Sequence, residues 1–264
     1  MSNDERRICF TKMHGLGNDY LYVFGEVPED ISELSQRLSD RHFGVGSDGM
    51  IYISPSSSAD FRMRIFNADG SEAKMCGNGI RCVAKYVYDK GYTDKKKLNI
   101  ETLSGTRTLD LHVRSGRVKT VSVGMGKVEV GEEVLLEPDG GTLCVPVSVG
   151  NPHAVIFVPD AETAPVGSLG PEIEKHEHFP GGVNVEFVQV LTDRRLRMRV
   201  WERGSGITLA CGTGACAAAA AAAAKGYCPV DEPITVLLDG GPLEIRVQSD
   251  GSVIVNYSLL RLKP

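Results

Sequence analysis

Two stretches of the chain, Arg62–Phe66 and Arg197–Trp201, alternate polar and apolar residues with the two-residue period of a half-buried strand. A polar loop follows each, then a cysteine, then a segment of helical spacing. Ile80, Val83, Ala84 and Val87 fall on one face of a helix predicted over Asn78–Lys90, with Gly91 behind the lysine as a stop signal. A second helix is predicted over Thr213–Lys225, ended by Gly226 and containing eight consecutive alanines. High helix propensity and narrow girth suit such a helix to being gripped on all sides by a sheet. Strand character recurs around the first helix at Ile51–Ser54, Leu98–Thr102, Thr108–Val113 and Thr120–Val123. Around the second it recurs at Ala154–Val158, Val185–Leu191, Thr235–Leu238, Leu243–Val247 and Val253–Tyr257.

The two patterns are copies of one another. At an offset of 135 residues, Arg62-Met63-Arg64 falls on Arg197-Met198-Arg199, Cys76-Gly77 on Cys211-Gly212, Gly79 on Gly214, Ala84 on Ala219, and Lys90-Gly91-Tyr92 on Lys225-Gly226-Tyr227. A looser echo sets Gly17-Asn18 against Gly150-Asn151. The period is far beyond the roughly 20–50 residues of a solenoid, so two copies of one fold are expected. The predicted class is α+β: two pseudo-symmetric domains, each a mostly antiparallel sheet wrapped around one central helix. Residues 1–118 form the domain carrying Cys76 and residues 119–264 the domain carrying Cys211, with the break near Gly116–Gly126 and the last strand free to return to the first domain.

Composition narrows the function. With 42% hydrophobic and 24% charged residues the chain is an ordinary globular one. A net charge of −5, with the basic residues scattered, offers no broad basic face for nucleic acid. The start, MSNDERRICF, lacks the apolar core of a secretory signal, and the low-polarity run Leu209–Ala224 is broken by two glycines and too short to span a membrane. A cytoplasmic protein without membrane partners is expected. Seven cysteines are an odd number in a long chain, so reduced thiols are the default, and each is a packing residue until its context says otherwise.

For Cys76 and Cys211 the context does. Each precedes a Gly-x-Gly turn that opens a helix, where unpaired amides and the helix dipole are expected to lower a thiol pKa and allow it to act as a base near neutral pH. The amides of Gly77-Asn78 and Gly212-Thr213 form candidate cradles for a carboxylate. Two one-proton groups on opposite faces of a carbon can remove a proton from one side and return it on the other, inverting a stereocentre beside a carboxylate without metal or cofactor. Cys9, Cys82, Cys144, Cys216 and Cys228 lack this matched context and are assigned to packing. Gly44-Val45-Gly46-Ser47-Asp48-Gly49 fits a dinucleotide fingerprint, but a strand and not a helix follows it. His176-x-His178 lies among Glu174, Lys175 and Glu177 and reads as a solvated face.

The stretches Asn67-Ala68-Asp69-Gly70-Ser71-Glu72, Met75-Cys76-Gly77-Asn78-Gly79-Ile80-Arg81-Cys82, Gly150-Asn151-Pro152-His153, Glu202-Arg203-Gly204 and Ala210-Cys211-Gly212-Thr213-Gly214 closely resemble the diaminopimelate epimerase family. The resemblance extends from Thr11 to the helix after Cys211. It implies two pseudo-symmetric domains with the active site in the cleft between them, a homodimer, and interconversion of LL- and meso-diaminopimelate without pyridoxal phosphate in lysine and peptidoglycan biosynthesis. Carried over, Cys76 and Cys211 are the acid–base pair, with His153 and Glu202 as supporting catalytic groups. Asn18, Asn67, Asn151, Asn184 and Arg203, with Glu202, match substrate-binding positions. Such residues suit a substrate with two ammonium and two carboxylate groups, because asparagine both donates and accepts and arginine captures carboxylates in a bidentate fashion. One position departs from the family: Gly49 stands where a glutamine is common. The competing readings are a proline or hydroxyproline racemase, a non-catalytic amino-acid-binding protein on the same scaffold, and a cysteine hydrolase, which needs one nucleophile and a histidine base where this chain has two matched thiols.

Overall fold

The computed structural model describes residues 7–137 and 141–258, and the chain separates into one unit running to Val121 and a second spanning Ser122–Ser258. The first unit contains β1 (Thr11–Gly15), β2 (Asn18–Phe24), α1 (Ile31–Ser39), β3 (Gly49–Ser54), β4 (Phe61–Asn67), β5 (Glu72–Ala73), α2 (Gly77–Asp89), β6 (Lys97–Thr102) and β7 (Gly105–Arg114). The chain passes into the second unit within β8 (Arg117–Lys127). There follow β9 (Glu129–Val130), β10 (Val134–Leu136), β11 (Thr142–Ser148), β12 (Pro152–Phe157), α3 (Val166–Glu174), β13 (Asn184–Thr192), β14 (Arg195–Glu202), β15 (Gly206–Ile207), α4 (Gly212–Ala224), β16 (Pro233–Leu238), β17 (Gly241–Val247) and β18 (Ser252–Ser258).

The strands of each unit pair in the same alternating sense. In the first, β2–β3 and β4–β6 are parallel, while β1–β2, β3–β4 and β6–β7 are antiparallel. In the second, β12–β13 and β14–β16 are parallel, while β11–β12, β13–β14 and β16–β17 are antiparallel. A parallel pair cannot be joined by a tight turn, and each of these four is bridged by a helix: α1, α2, α3 and α4 in turn. The α+β class and one central helix per repeat therefore hold, but each unit also carries a second helix that the repeat did not reveal.

Burial explains both kinds of helix. α1 presents Ile31 and Leu34 to Leu21, Val23, Met50, Tyr52 and Phe66. α3 presents Val166 and Ile173 to Ala154, Ile156, Val183, Val185 and Phe187. α4 is buried along nearly its whole length, from Gly214 to Ala222, as its alanines allow. Among the described residues no helix is long and apolar enough to cross a membrane.

Candidate active site

Within the first unit, Cys76 is the N-cap of α2 with an extended backbone, and its sulfur accepts from the Gly79 amide at 3.2 Å. The Cys76 sulfur also lies 3.4 Å from Oδ1 of Asn18, whose Nδ2 donates to Asp48 at 2.8 Å. Asp48 in turn accepts from the Asp19 amide at 2.9 Å and from Arg41 at 2.8 Å, so the loop that carries Asn18 is pinned by charge-assisted bonds. Beneath the start of α2, the buried Arg81 donates to the Gly77 carbonyl at 2.9 Å and to the Asn78 side chain. The Asn78 side chain is thus engaged with Arg81, leaving its backbone amide, with that of Gly77, as what this turn can offer an anion. Asn67, at the end of β4, donates to Ser71 at 3.0 Å across the loop that follows.

The second unit repeats the cap with different neighbours. Cys211 is the N-cap of α4, accepts from the Gly214 amide at 3.3 Å and lies 3.5 Å from the Thr213 hydroxyl. Thr213 also receives a long bond, 3.4 Å, from Asn151. Glu202, at the end of β14, accepts from Thr208. Asn184 donates to the Pro152 carbonyl at 3.0 Å and accepts from the Arg203 amide at 3.0 Å, which locks the Arg203 loop to the start of β13. The exposed Arg203 guanidinium donates to the Gly181 carbonyl at 2.8 Å. His153 is fully buried, with Nδ1 2.7 Å from Oε1 of an equally buried Glu186.

The thiol electrostatics differ from the sequence expectation. Burial pushes the Cys76 thiol above its ordinary value, against the opposing pull of the Gly79 amide, the Arg81 guanidinium and the Asn78 amide. Cys211 is pushed well above its ordinary value, first by burial and then by the negative charges of Glu202 and Glu186, which outweigh Thr213 and the Gly214 amide. Desolvation disfavours a thiolate more than two or three amides at a helix start can offset. The Glu202 carboxyl is raised too, chiefly by burial and then by the neighbouring Glu186.

Residues 10–131 and 145–259 match the family model of diaminopimelate epimerase. The chain is 50% identical over 253 residues to the diaminopimelate epimerase of Acetivibrio thermocellus, covering 90% of both chains. It is equally 50% identical to the enzyme of that name from Methanococcus maripaludis, covering 90% of this chain and 91% of the relative. The chain belongs to the diaminopimelate epimerase family. A hydroxyproline epimerase from Agrobacterium vitis, 18% identical, superposes with a TM-score of 0.70 over 97% of this chain and 90% of its own length, a likeness of fold alone.

The glycine at position 49 has a local cause. Its φ is +152°, and a Cβ built there would lie 2.1 Å from the Phe66 carbonyl oxygen and 2.9 Å from the Tyr20 ring, so this backbone admits no side chain. Two charged groups of this diaminopimelate epimerase-family chain escaped the sequence reading, Arg81 and Glu186. Arg81 follows Ile80 on the inner face of a predicted helix, and a buried arginine there had a signal only in its repeat partner, Cys216, an uncharged residue at the matching place.

Proposed function

We propose that this epimerase interconverts LL- and meso-2,6-diaminopimelate, with Cys76 and Cys211 as the two proton carriers. The observation that carries the reading is the matched capping: in each unit the cysteine sulfur accepts an amide from the second glycine of its own Gly-x-Gly turn. One thiolate removes the α-proton, and the opposite thiol returns a proton to the other face. The electron pair left on carbon is delocalised into the adjacent carboxylate, and the amides of Gly77, Asn78, Gly212 and Thr213 are suited to hold that growing negative charge. Two features support the asymmetry of the pair. Arg81 favours charge on Cys76, while Glu202 and Glu186 favour a neutral Cys211, so the resting enzyme is set to hold the Cys211 proton more tightly.

Glu202 is the partner of Cys211, and His153 the second supporting group. Asn18, Asn67, Asn151, Asn184, Glu202 and Arg203 are assigned to binding the ammonium and carboxylate groups of the substrate. Polar side chains held by second hydrogen bonds, as Asn18 and Asn184 are, lose less freedom when a ligand binds. We further assign the enzyme to the cytoplasm, in keeping with its seven free thiols, and propose a homodimer from its resemblance to the family. Incubating the purified chain with LL-diaminopimelate in heavy water, without added cofactor, tests the reaction. The meso isomer should form with deuterium at the inverted α-carbon. Formation of no meso isomer would reject the assignment.

A further inference from the structure

The two units differ at a place where the repeat would have them alike. Parallel pairing of β2 with β3 sets Tyr20 beside Gly49, and parallel pairing of β12 with β13 sets His153 beside Asn184. Two residues further along the second strand of each pair stand Ile51 and Glu186, related by the same 135-residue offset as the two cysteines. Both meet the start of the central helix. A Cβ on Gly79 would lie 2.6 Å from Cδ1 of Ile51, and one on Gly214 would lie 2.7 Å from Oε1 of Glu186. One position against the helix start is thus filled by a methyl group in the first unit and by a carboxylate in the second.

Packing does not explain the exchange, because burying a carboxylate is costly unless it is paired, and the first unit shows that an apolar side chain fits. The pair Glu186 makes is with His153: both side chains are 0% exposed, and Oε1 lies 2.7 Å from Nδ1. His153 Nε2 has no hydrogen-bond partner among the described residues. The contact therefore engages one ring nitrogen and leaves the other. An ionised carboxylate can only accept, so with Glu186 ionised the proton in this bond sits on Nδ1.

We propose that Glu186 is a positioning residue that holds the imidazole proton of His153 on Nδ1 and so makes Nε2 the nitrogen available to the reaction. The proposal rests on the reading that His153 serves the epimerisation. Which nitrogen of a histidine carries the proton is set by the bond made by the other, and a neutral histidine in water favours the opposite tautomer, with the proton on Nε2. The carboxylate also fixes the plane of the ring, which a tautomer-blind packing partner such as isoleucine would not do.

The test is nitrogen NMR of the protein labelled in its histidines, with His153 assigned by its absence in His153→Asn, recorded above the pH at which the ring titrates. In the wild-type enzyme Nδ1 should be the protonated nitrogen and Nε2 the bare one. In Glu186→Ile, and in Glu186→Met if the isoleucine variant does not fold, the acceptor for Nδ1–H is gone and the Nε2-protonated tautomer should gain population. Turnover of LL-diaminopimelate should fall at least tenfold in kcat with KM changed less than threefold. A wild-type His153 protonated on Nε2, or an unchanged tautomer in both variants, would overturn the proposal without touching the assigned reaction, because the spectrum needs no substrate. A shifted tautomer with unchanged kcat would also overturn it, by showing that the reaction does not use Nε2. Failure of the wild-type enzyme to epimerise diaminopimelate would instead reject the reading beneath it.

Discussion

Oδ1 of Asn18 lies 3.4 Å from the sulfur of Cys76, and the same side chain is tied through Nδ2 to Asp48 at 2.8 Å. Asn18 thus links the thiol to the Asp19, Arg41 and Asp48 cluster. Replacing it with alanine removes a contact to the sulfur and an anchor of the loop. Asn18→Ala is expected to lower kcat/KM about 5–30-fold, the effect of one or two hydrogen bonds, with the circular dichroism spectrum retained. Wild-type kcat/KM would show that the bond to Cys76 has no part in turnover.

The raised thiols give a pH dependence of known sign. A thiol whose pKa is raised reaches its reactive thiolate form only at higher pH, so alkylation of both cysteines by iodoacetamide should be slow near neutrality and accelerate as pH rises. Arg81 opposes burial at Cys76, whereas Glu202 and Glu186 reinforce it at Cys211, so the Cys76 profile should lie at the lower pH. Glu202→Gln removes one of those negative charges and should move the Cys211 profile downward. Peptide mass spectrometry resolves the two sites, and a Cys211 profile below that of Cys76 would contradict the charge distribution described above.

Ala219 in the middle of α4 is fully buried, while Ala224 at its end is exposed. Ala219→Leu should therefore overpack the helix seat and destabilise the protein by about 1–3 kcal/mol. Ala224→Leu should change stability by less than about 0.5 kcal/mol. Denaturant midpoints measure both, and equal effects would mean that the alanine run reflects helix propensity and not confinement.

The legible part of this protein was what the repeat and the cysteines displayed. Both central helices begin within one residue of their predicted starts because Cys-Gly-x-Gly is a strong local stop and start: an extended cap residue followed by amides that need a partner. α1 and α3 went unread because their burial is set by tertiary partners, the sheet faces around Leu21 and Val185, and α3 even contains Pro171. Glu186 went unread because Val185–Leu191 scans as a strand and a charged residue within such a strand is expected to face water. Only comparison with Ile51 at the matching position of the first half marks the site as buried. The depressed thiol pKa expected from sequence failed for a related reason, since helix-start amides are visible in a sequence and the desolvation that outweighs them is not.

Substrate choice tests the assigned binding groups. L-Lysine differs from LL-diaminopimelate in lacking the distal carboxylate, and a charge-assisted hydrogen bond at a desolvated site contributes about 1.5–3 kcal/mol. Losing more than one of these should lower kcat/KM for lysine by at least roughly a hundredfold. Comparable kcat/KM for the two amino acids would remove Arg203 and the asparagines from distal recognition.

The two-thiol mechanism itself is tested most directly by single replacements followed in heavy water. Cys76→Ala and Cys211→Ala should each abolish conversion of LL- to meso-diaminopimelate, because each leaves one face of the α-carbon without a proton carrier. Where the remaining thiol faces the α-hydrogen of the isomer supplied, that hydrogen can still be exchanged for deuterium with its configuration kept. Near wild-type inversion by either variant, with deuterium delivered to the inverted carbon, would contradict the account.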